Sequence, residues 1–320
     1  MKKVKMTNIF KQIPIPIAGL MLGLAGLGNL IRPYGSQYRY IAGILSTLIA
    51  VLLVIRFLID RENFLKELEN SIVASVAPTF SMGIMILASY IIKLSFPLAL
   101  YIWYGGIILH GLLIISFSSR FILNFDIKQV FPSYFIVYVG IVVASVTAPA
   151  FNHILLGQSI FWFGFISYMI LLPVVSYRVF WIKEIKKPAL PTISIFTAPA
   201  GLCLAGYMNA FPEKNLLLVG WLTVLTLIMA TGVVIYLPRM LKVGFYPSFS
   251  AFTFPFVITA IGLKLTIKFL EEQFGNPLLG YSAQIMEVLS IILVLFVLFK
   301  YLGYFYRNWN RQQSQETEVA

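Results

Sequence analysis

Charged residues are scarce in this chain of 320 residues. Asp, Glu, Lys and Arg make up 11% of it, whereas a typical soluble domain has about 25%. With 59% of its residues hydrophobic, the chain has too little polar surface to cover a water-soluble fold. Its one cysteine, Cys203, excludes an intrachain disulfide, and only two histidines, His110 and His153, accompany it. We therefore expect neither a disulfide scaffold nor a metal site.

Motifs of catalysis are also missing. The sequence contains no Gly-rich phosphate-binding loop and no H-E-x-x-H zinc motif, and it shows no recognisable pairing of nucleophile and base. We expect no enzymatic activity and no cofactor. The net charge of +12 would suggest nucleic acid in a soluble protein, but here most cations lie in loops between apolar runs. The expected partner is therefore the lipid bilayer, and not nucleic acid.

Long apolar runs are abundant instead, as helices that cross a membrane require. Ending these runs at charges and at Pro, Gly or Asn turns predicts ten spans: 14–31, 38–59, 72–92, 97–123, 132–150, 156–182, 190–210, 215–241, 248–269 and 278–305. The polar tails, 1–12 and 308–320, are short, so residues 1–320 are expected to form a single transmembrane domain. Of the 24 Lys and Arg residues, 18 lie on the side of the N-terminus and 6 on the other side. The positive-inside rule therefore predicts a multi-pass protein of the cytoplasmic membrane with both termini in the cytoplasm.

The odd-numbered spans share a sequence pattern at their start. Four of them open with proline and a hydroxyl residue, at Pro78, Pro132, Pro191 and Pro247, and the intervals match the length of a helical hairpin. Spans seven and nine agree further, as "PTISIFTAP" and "PSFSAFTFP". Because proline is common in the first turn of any helix, the first prolines alone prove no repeat. The second pair favours five tandem helical hairpins arranged around an axis.

The two sets of spans also differ in side-chain size. Odd spans are rich in small residues, as in "AGLMLGLAGLG", whereas even spans are bulky, as in "ILVLFVLFKYLGYFY". Small residues allow helix backbones to approach closely. The contrast predicts an all-α membrane fold with an inner ring of five odd helices around a pore and an outer ring of even helices. Close helix packing without any pore explains the composition equally well.

Two prolines, Pro199 and Pro255, stand about a third of the way along spans seven and nine. Proline removes a backbone hydrogen bond, so we expect kinks where a polar pathway or a neighbouring helix satisfies the freed carbonyl. Aligning the repeats on their first proline places five residues at one level of the pore: Gly23, Met85, Val139, Ala198 and Phe254. Only Phe254 is aromatic, and we expect its ring to fill the bore as a gate. Hydroxyl side chains are further candidates for the pore lining: Ser194, Thr197, Ser250 and Thr253.

The segment "AFTFPF" after a basic loop, the ten spans in five hairpins, and "PIPIAGLMLGLAGLGNL" near the start resemble the tellurite-resistance/dicarboxylate transporter family. The resemblance runs from about Pro14 to Tyr306. That family includes bacterial tellurite-resistance channel homologues, plant slow-type anion channels, and malate and sulfite exporters. The resemblance implies a homotrimer in which each protomer has its own pore, closed by a phenylalanine that falls on Phe254. The implied substrates are small anions: chloride, nitrate, sulfite, tellurite or C4-dicarboxylates.

Two polar groups lie inside predicted spans and need an explanation. A carboxylate at mid-membrane costs about 2.5–3.5 kcal/mol on insertion scales, so Glu287 in span ten should be paired, protonated or in contact with water. It is either a structural partner of a neighbouring helix or an acid that couples transport to protons, and its place on an outer helix favours the first. For His110 in span four we expect a hydrogen bond between helices. Lys264 and Lys268 share a face of span nine. Reaching to lipid headgroups or pairing with Glu271 and Glu272 is favoured over attracting anions to the outer mouth.

Several functions remain open on these patterns. An anion channel or weakly coupled transporter accounts best for the repeats. A proton-coupled malate or sulfite exporter that uses Glu287 is the main alternative. A sodium symporter built from inverted repeats is disfavoured, because the hairpins repeat in one orientation. An integral membrane enzyme or a structural membrane protein is the alternative of a different class.

Overall fold

The structure is a computed structural model that describes residues 10–275 and 280–319, with side chains up to residue 310. In these residues the regular structure is all helical. Within those ranges no residue lies in a β-strand. Eight helical segments are long and apolar enough to cross a membrane, and two shorter apolar segments, Ile17–Leu30 and Gly140–Phe151, accompany them. The prediction of an all-α membrane protein is confirmed. The division into ten spans stays a prediction, since spans one and five are represented only by the shorter segments.

The α-helices, numbered in chain order, have the following bounds: α1 (Ile17–Leu30), α2 (Ser36–Ile59), α3 (Arg61–Glu67), α4 (Ser71–Val76), α5 (Thr79–Ala88), α6 (Phe96–Phe117), α7 (Tyr134–Tyr138), α8 (Val143–Thr147), α9 (Ile154–Ser176), α10 (Ala198–Ala210), α11 (Leu216–Leu241), α12 (Phe254–Phe274) and α13 (Gly280–Val319). Short 3-10 segments stand between or before several of them: Arg32–Tyr34, Ile127–Gln129, Gly140–Val142, Ala148–Phe151, Lys187–Thr197 and Pro247–Phe252. Two π-helical turns follow α6 and α9: Ser118–Ile122 and Tyr177–Ile182.

Five helices follow one another in a closed circle of contacts. Helix α1 packs against α5, α5 against α8, α8 against α10, α10 against α12, and α12 returns to α1. All five come from odd-numbered predicted spans. Within the apolar stretches of Lys187–Ala210 and Pro247–Phe274, 89% and 83% of the residues are buried. These helices therefore form the interior of the molecule.

The remaining long helices lie outside this circle. Helix α2 packs against α1, α6 against α5, α9 against α8, α11 against α10, and α13 against α12. Only 22–39% of the residues in their apolar stretches are buried. Large apolar side chains project from them, such as Leu155, Leu217 and Ile235, each at least three-quarters exposed. Their outward faces are suited to contact with lipid acyl chains.

Small residues allow the inner helices to touch backbone to backbone. A Cβ atom built on Gly201 of α10 would lie 2.8 Å from Cα of Thr259 in α12. One built on Gly262 of α12 would lie 2.6 Å from the carbonyl oxygen of Gly201. Any side chain at these two glycines would force the helices apart. The small residues of the odd spans thus allow close backbone approach, as expected of such residues in membranes.

The two copies of the proline motif adopt the same local structure. In each copy a 3-10 segment, Lys187–Thr197 or Pro247–Phe252, leads into an α-helix. Pro199 and Pro255 are the second residues of α10 and α12. In the first turn of a helix the backbone N–H has no helical acceptor, so proline costs nothing there. Each proline stands where 3-10 geometry changes to α geometry, and the kink expected there stays a prediction.

Candidate functional site

A narrow cavity lies inside the circle of inner helices. All five odd segments contribute to its wall, which is formed by the following residues: Gly19, Leu22, Val76, Thr79, Met82, Phe135, Ile136, Val139, Gly140, Thr192, Ile195, Ala198, Pro199, Leu202, Ser248, Ser250, Ala251, Phe254 and Pro255. None of these described residues is charged. The space open to the centre of a water-sized sphere is about 40 Å³, and one water needs about 10–15 Å³ by the same measure. The cavity therefore has room for a few water molecules and none for a hydrated anion.

Phe254 is the aromatic side chain that α12 places at this cavity. It is the first residue of the helix, and the backbone of the preceding Thr253 has φ −98° and ψ −89°, outside the helical region. Its side chain is 4% exposed. Two carbon atoms of the ring lie 3.3 Å from the position of a Cβ built on Gly26, so the ring rests against the bare backbone of α1. The ring thus spans from α12 to α1 at the edge of the cavity.

Phe252, two residues earlier, lies in a different environment. It is fully buried, and its ring packs edge-on against Phe249 with centroids 5.2 Å apart. Phe249 in turn stacks at 6.3 Å on Phe296 of the outer helix α13. Phe252 does not belong to the cavity wall. Within one short segment, the ring of Phe254 therefore faces the cavity and the ring of Phe252 faces the core.

The other residues expected at the level of Phe254 divide into two groups. Val139 and Ala198 line the cavity together with Phe254. Gly23 and Met85 do not: a Cβ on Gly23 would lie 2.5 Å from Cβ of Thr253, and the Cγ of Met85 lies 2.7 Å from the Cβ position of an outer-helix glycine. Gly23 is thus a contact between α1 and α12, and Met85 faces outward against α6.

The difference between 3-10 and α geometry explains why Gly23 and Met85 do not lie beside Phe254. A 3-10 helix rises about 2.0 Å per residue and an α-helix about 1.5 Å, so equal numbers of residues do not reach equal depth. The chain before Phe254 is 3-10, whereas α1 is α-helical from Ile17. On α1 the residue beside the Phe254 ring is Gly26, three positions beyond Gly23.

The carbonyl of Ala251, four residues before Pro255, accepts a hydrogen bond from a neighbouring inner segment. In an α-helix the carbonyl of Ala251 would accept the N–H of residue 255, which proline lacks. The hydroxyl of Ser194 donates to this Ala251 oxygen at 2.6 Å. In the opposite direction, Thr259 of α12 donates its hydroxyl to the carbonyl oxygen of Thr197 at 2.8 Å. The two copies of the motif therefore hold each other through side-chain hydroxyls.

Three of the four hydroxyl candidates bond to the backbone and do not line the cavity. Ser194 donates as described above. Thr197 donates to the carbonyl of Ser194 at 3.0 Å, and Thr253 donates to the carbonyl of Gly19 at 2.8 Å. Each hydroxyl has a single hydrogen, and carbonyl oxygens take up these three. Only Ser250 belongs to the cavity wall. In the described conformation the wall offers an anion very few donors.

Glu287 forms an ion pair away from the cavity. Lys264 Nζ donates to its Oε1 at 2.7 Å, and the hydroxyl of Tyr34 donates to its Oε2 at 3.2 Å. The carboxylate side chain is 6% exposed and the lysine 33%. The sequence did not identify this partner, because 23 residues separate the two charges and the nearer glutamates at 271 and 272 were favoured for Lys264. The signal available in the sequence was a carboxylate inside span ten together with a lysine inside the neighbouring span nine.

His110 joins three helical segments. Its Nε2 donates to the carbonyl oxygen of Val137 at 3.0 Å, and its Nδ1 lies 2.9 Å from the hydroxyl oxygen of Ser81. The ring is fully buried. Val137 lies near the end of α7, where the helix passes into 3-10 geometry and a carbonyl becomes available. His110 thus makes the expected hydrogen bond between helices, and it is not part of the cavity wall.

Comparison with known proteins agrees with this architecture. The search of curated proteins found no match. A family model described as voltage-dependent anion channel matches residues 12–302, which is most of the chain. The resemblance to the tellurite-resistance/dicarboxylate transporter family is thereby confirmed, since this is the same family. The chain belongs to the voltage-dependent anion channel (SLAC1) family, whose members are membrane channels or transporters of anions and not enzymes.

Proposed function

We propose that this protein is an anion channel whose pore runs between the five inner helices and is closed by Phe254. The observation that carries the proposal is the cavity itself. All five odd segments line it, its volume is about 40 Å³, and the Phe254 ring reaches from α12 to α1 at its edge. An apolar constriction of this size excludes ions because an ion would have to lose its water without receiving other partners.

The proposed architecture is the one expected from the repeats. Ten spans form five tandem hairpins within the single domain 1–320, with inner odd helices and outer even helices. The closed circle of contacts from α1 to α12 supports it. The excess of Lys and Arg on one side supports cytoplasmic termini in the cytoplasmic membrane. Assembly as a homotrimer rests on the family alone.

The proposed substrates are small anions: chloride, nitrate, sulfite, tellurite or C4-dicarboxylates. The hydroxyls of Thr79, Thr192 and Ser248 in the wall donate to backbone carbonyl oxygens, so the wall lacks a tight anion site. Selection would therefore follow the cost of dehydration, which favours large and weakly hydrated anions. A proton-coupled exporter fits less well, because Glu287 is paired with Lys264 and lies outside the cavity wall.

Planar-bilayer recording of the purified protein tests this proposal. The Phe254→Ala variant should pass current, and a tenfold chloride gradient should move its reversal potential by about 59 mV toward the chloride equilibrium value. Nitrate, sulfite and malate, substituted for chloride, would then rank the anions. A reversal potential that follows the cation gradient would contradict an anion pore, and a current driven by pH at zero anion gradient would favour the exporter.

A further inference from the structure

A second cavity, polar and larger, lies where three loops meet. Its volume is about 850 Å³ by the same measure as above, within the range of about 300–1,000 Å³ that is typical of small-molecule sites. The loops follow α3, α6 and α9, and the orientation from the positive-inside rule places all three in the cytoplasm. Among the described residues this cavity shares no wall residue with the cavity inside the ring. It is therefore a separate feature of the cytoplasmic face.

Positive charge dominates the wall of this polar cavity. Four cations face two carboxylates, which leaves a formal charge of about +2: Lys128, Arg178, Lys183 and Lys186 against Glu69 and Glu184. Asn70, Ser71 and Gln129 add neutral hydrogen-bonding groups. A concave surface with this balance concentrates anions, and a dianion matches its charge.

Arg178 is the buried member of the set. It is 2% exposed, and its Nη2 donates to the carbonyl oxygens of Glu184 and Lys128 at 3.0 and 3.3 Å. Its Nε and Nη1 have no hydrogen-bond partner in the part of the chain that the structure describes. Its guanidinium carbon lies 5.8 Å from the ring centre of Phe131. A buried cation that keeps two donors unsatisfied is unfavourable, and an anion in the polar cavity would supply the acceptors.

The backbone beside Arg178 has an uncommon conformation. Lys183 has φ +64°, one of two non-glycine residues with positive φ among those described. Its N–H donates to the carbonyl oxygen of Arg178 at 3.2 Å and closes the π-helical turn Tyr177–Ile182. Both π turns and left-handed residues are enriched at functional sites, because the strain persists only where surrounding structure imposes it. Here it holds Lys183 and Glu184 at the edge of the polar cavity.

We propose that the polar cavity binds a phosphate monoester. Such a group carries about −1.5 to −2 charges at pH 7 and has three strong acceptor oxygens, which match the formal charge and the number of free donors. Lys128, Lys183 and Lys186 supply exposed contacts, and Arg178 stands in the same wall with two donor atoms, Nε and Nη1, that no protein acceptor occupies. The volume exceeds that of phosphate alone, so an organic body accompanies it. This body is either a soluble metabolite or the diacylglycerol part of a phosphatidic-acid-type lipid.

A purely structural explanation of the same residues exists. Arg178 bonds two loop carbonyls, and exposed lysines are common on cytoplasmic loops. That explanation predicts no dependence on the charge of a ligand and no difference between lysines inside and outside the polar cavity. The chain offers a matched control, since Lys66, Lys187 and Lys242 are exposed, lie between predicted spans on the same side, and do not line the cavity.

Calorimetric titration of the purified full-length protein with phenyl phosphate tests the proposal. Wild type and the control triple variant K66Q/K187Q/K242Q should bind alike. The variant K128Q/K183Q/K186Q should bind at least about tenfold more weakly, since each charge-assisted contact contributes a factor of a few. Phenyl sulfate, which has one charge, should bind more weakly than phenyl phosphate. Binding of phenyl phosphate should also weaken from pH 7.5 to pH 5.5, as the phosphate takes up its second proton near pH 6.

A parallel arm distinguishes the two sources of the phosphate. Lipid nanodiscs containing phosphatidic acid should stabilise the protein more than phosphatidylcholine nanodiscs if a lipid headgroup is the ligand. Equal losses in the two triple variants, or no effect of either probe on wild type, would overturn the proposal. Because no current is measured, the result is independent of the pore: Phe254→Ala should bind phenyl phosphate as wild type does.

Discussion

Truncating Phe254 to alanine is the most direct perturbation of the proposed pore. The ring contacts the backbone of α1 at Gly26 on one side and borders the cavity of about 40 Å³ on the other. Truncation replaces the benzyl side chain with a methyl group and joins the volume of the ring to that cavity. Lowering the free-energy barrier to ion passage by about 1.4–2.8 kcal/mol raises the rate about ten- to a hundredfold. We therefore expect macroscopic current at least tenfold above wild type.

The stability of the variant provides a second and independent readout. A phenylalanine packed on all sides loses about 3–5 kcal/mol of unfolding free energy on truncation. Phe254 already has an empty space on one side and loses fewer contacts, so we expect about 1–3 kcal/mol. Thermal unfolding in detergent, compared with wild type at equal protein concentration, measures the difference. Expression of Phe254→Ala should remain close to that of wild type.

Phe252→Ala is the matched control, because Phe252 is fully buried against Phe249 and lies outside the cavity wall. It should lose the full 3–5 kcal/mol or so and conduct no more than wild type. The reasoning fails if the two variants carry equal currents. It also fails if Phe254→Ala is as unstable as Phe252→Ala and stays silent, since the ring would then be an ordinary core side chain.

Three further predictions concern the polar groups and the topology. Glu287→Gln should lower the unfolding free energy by about 1–3 kcal/mol, because Lys264 loses its counter-ion. The loss stays moderate because a third of the lysine side chain still reaches solvent. A loss of pH-driven flux at unchanged stability would instead assign proton coupling to this carboxylate. His110→Ala should cost at least about 1–3 kcal/mol, because it removes the donor to the buried carbonyl of Val137, and anion selectivity should not change; altered selectivity would contradict its structural role. A membrane-impermeant thiol reagent added to intact cells should label Asn152→Cys and not Lys186→Cys, and the reverse pattern would overturn the orientation.

Most long helices could be predicted closely from hydropathy and charge. The predicted spans 38–59, 156–182 and 215–241 compare with Ser36–Ile59, Ile154–Ile182 and Leu216–Leu241 in the structure. These outer helices are continuous apolar runs that end at charged or turn residues, so composition alone defines them. Their packing against the inner circle follows from the alternation of bulky and small residues, which was visible in the sequence.

The interior of the inner segments could not be predicted in the same way. Span five was expected as one helix over 132–150, and the structure divides it into α7, α8 and two 3-10 segments. Hydropathy reports burial, and it contains no information on whether a carbonyl bonds three or four residues onward. That choice depends on partners distant in sequence, such as His110 for the carbonyl of Val137. The absence of Gly23 and Met85 from the cavity wall has the same origin, since the depth of a residue depends on helix type.

The polar side chains of the inner helices explain why an aromatic ring would be the closing element. Pro255 offers no N–H to the carbonyl of Ala251, and inside a membrane such a carbonyl must be satisfied by protein. Ser194 donates to this carbonyl, and Thr253 lies within donating distance of the carbonyl oxygens of Gly19 and Ser250, so both hydroxyls are withdrawn from the bore. Hydroxyls that could otherwise coordinate an anion thus link the inner helices to one another. What remains at the cavity is apolar, where removing or rotating one ring changes the barrier without breaking a hydrogen bond. In the proposed mechanism the ring of Phe254 would therefore move while the hydrogen bonds that hold α1, α10 and α12 together stay intact.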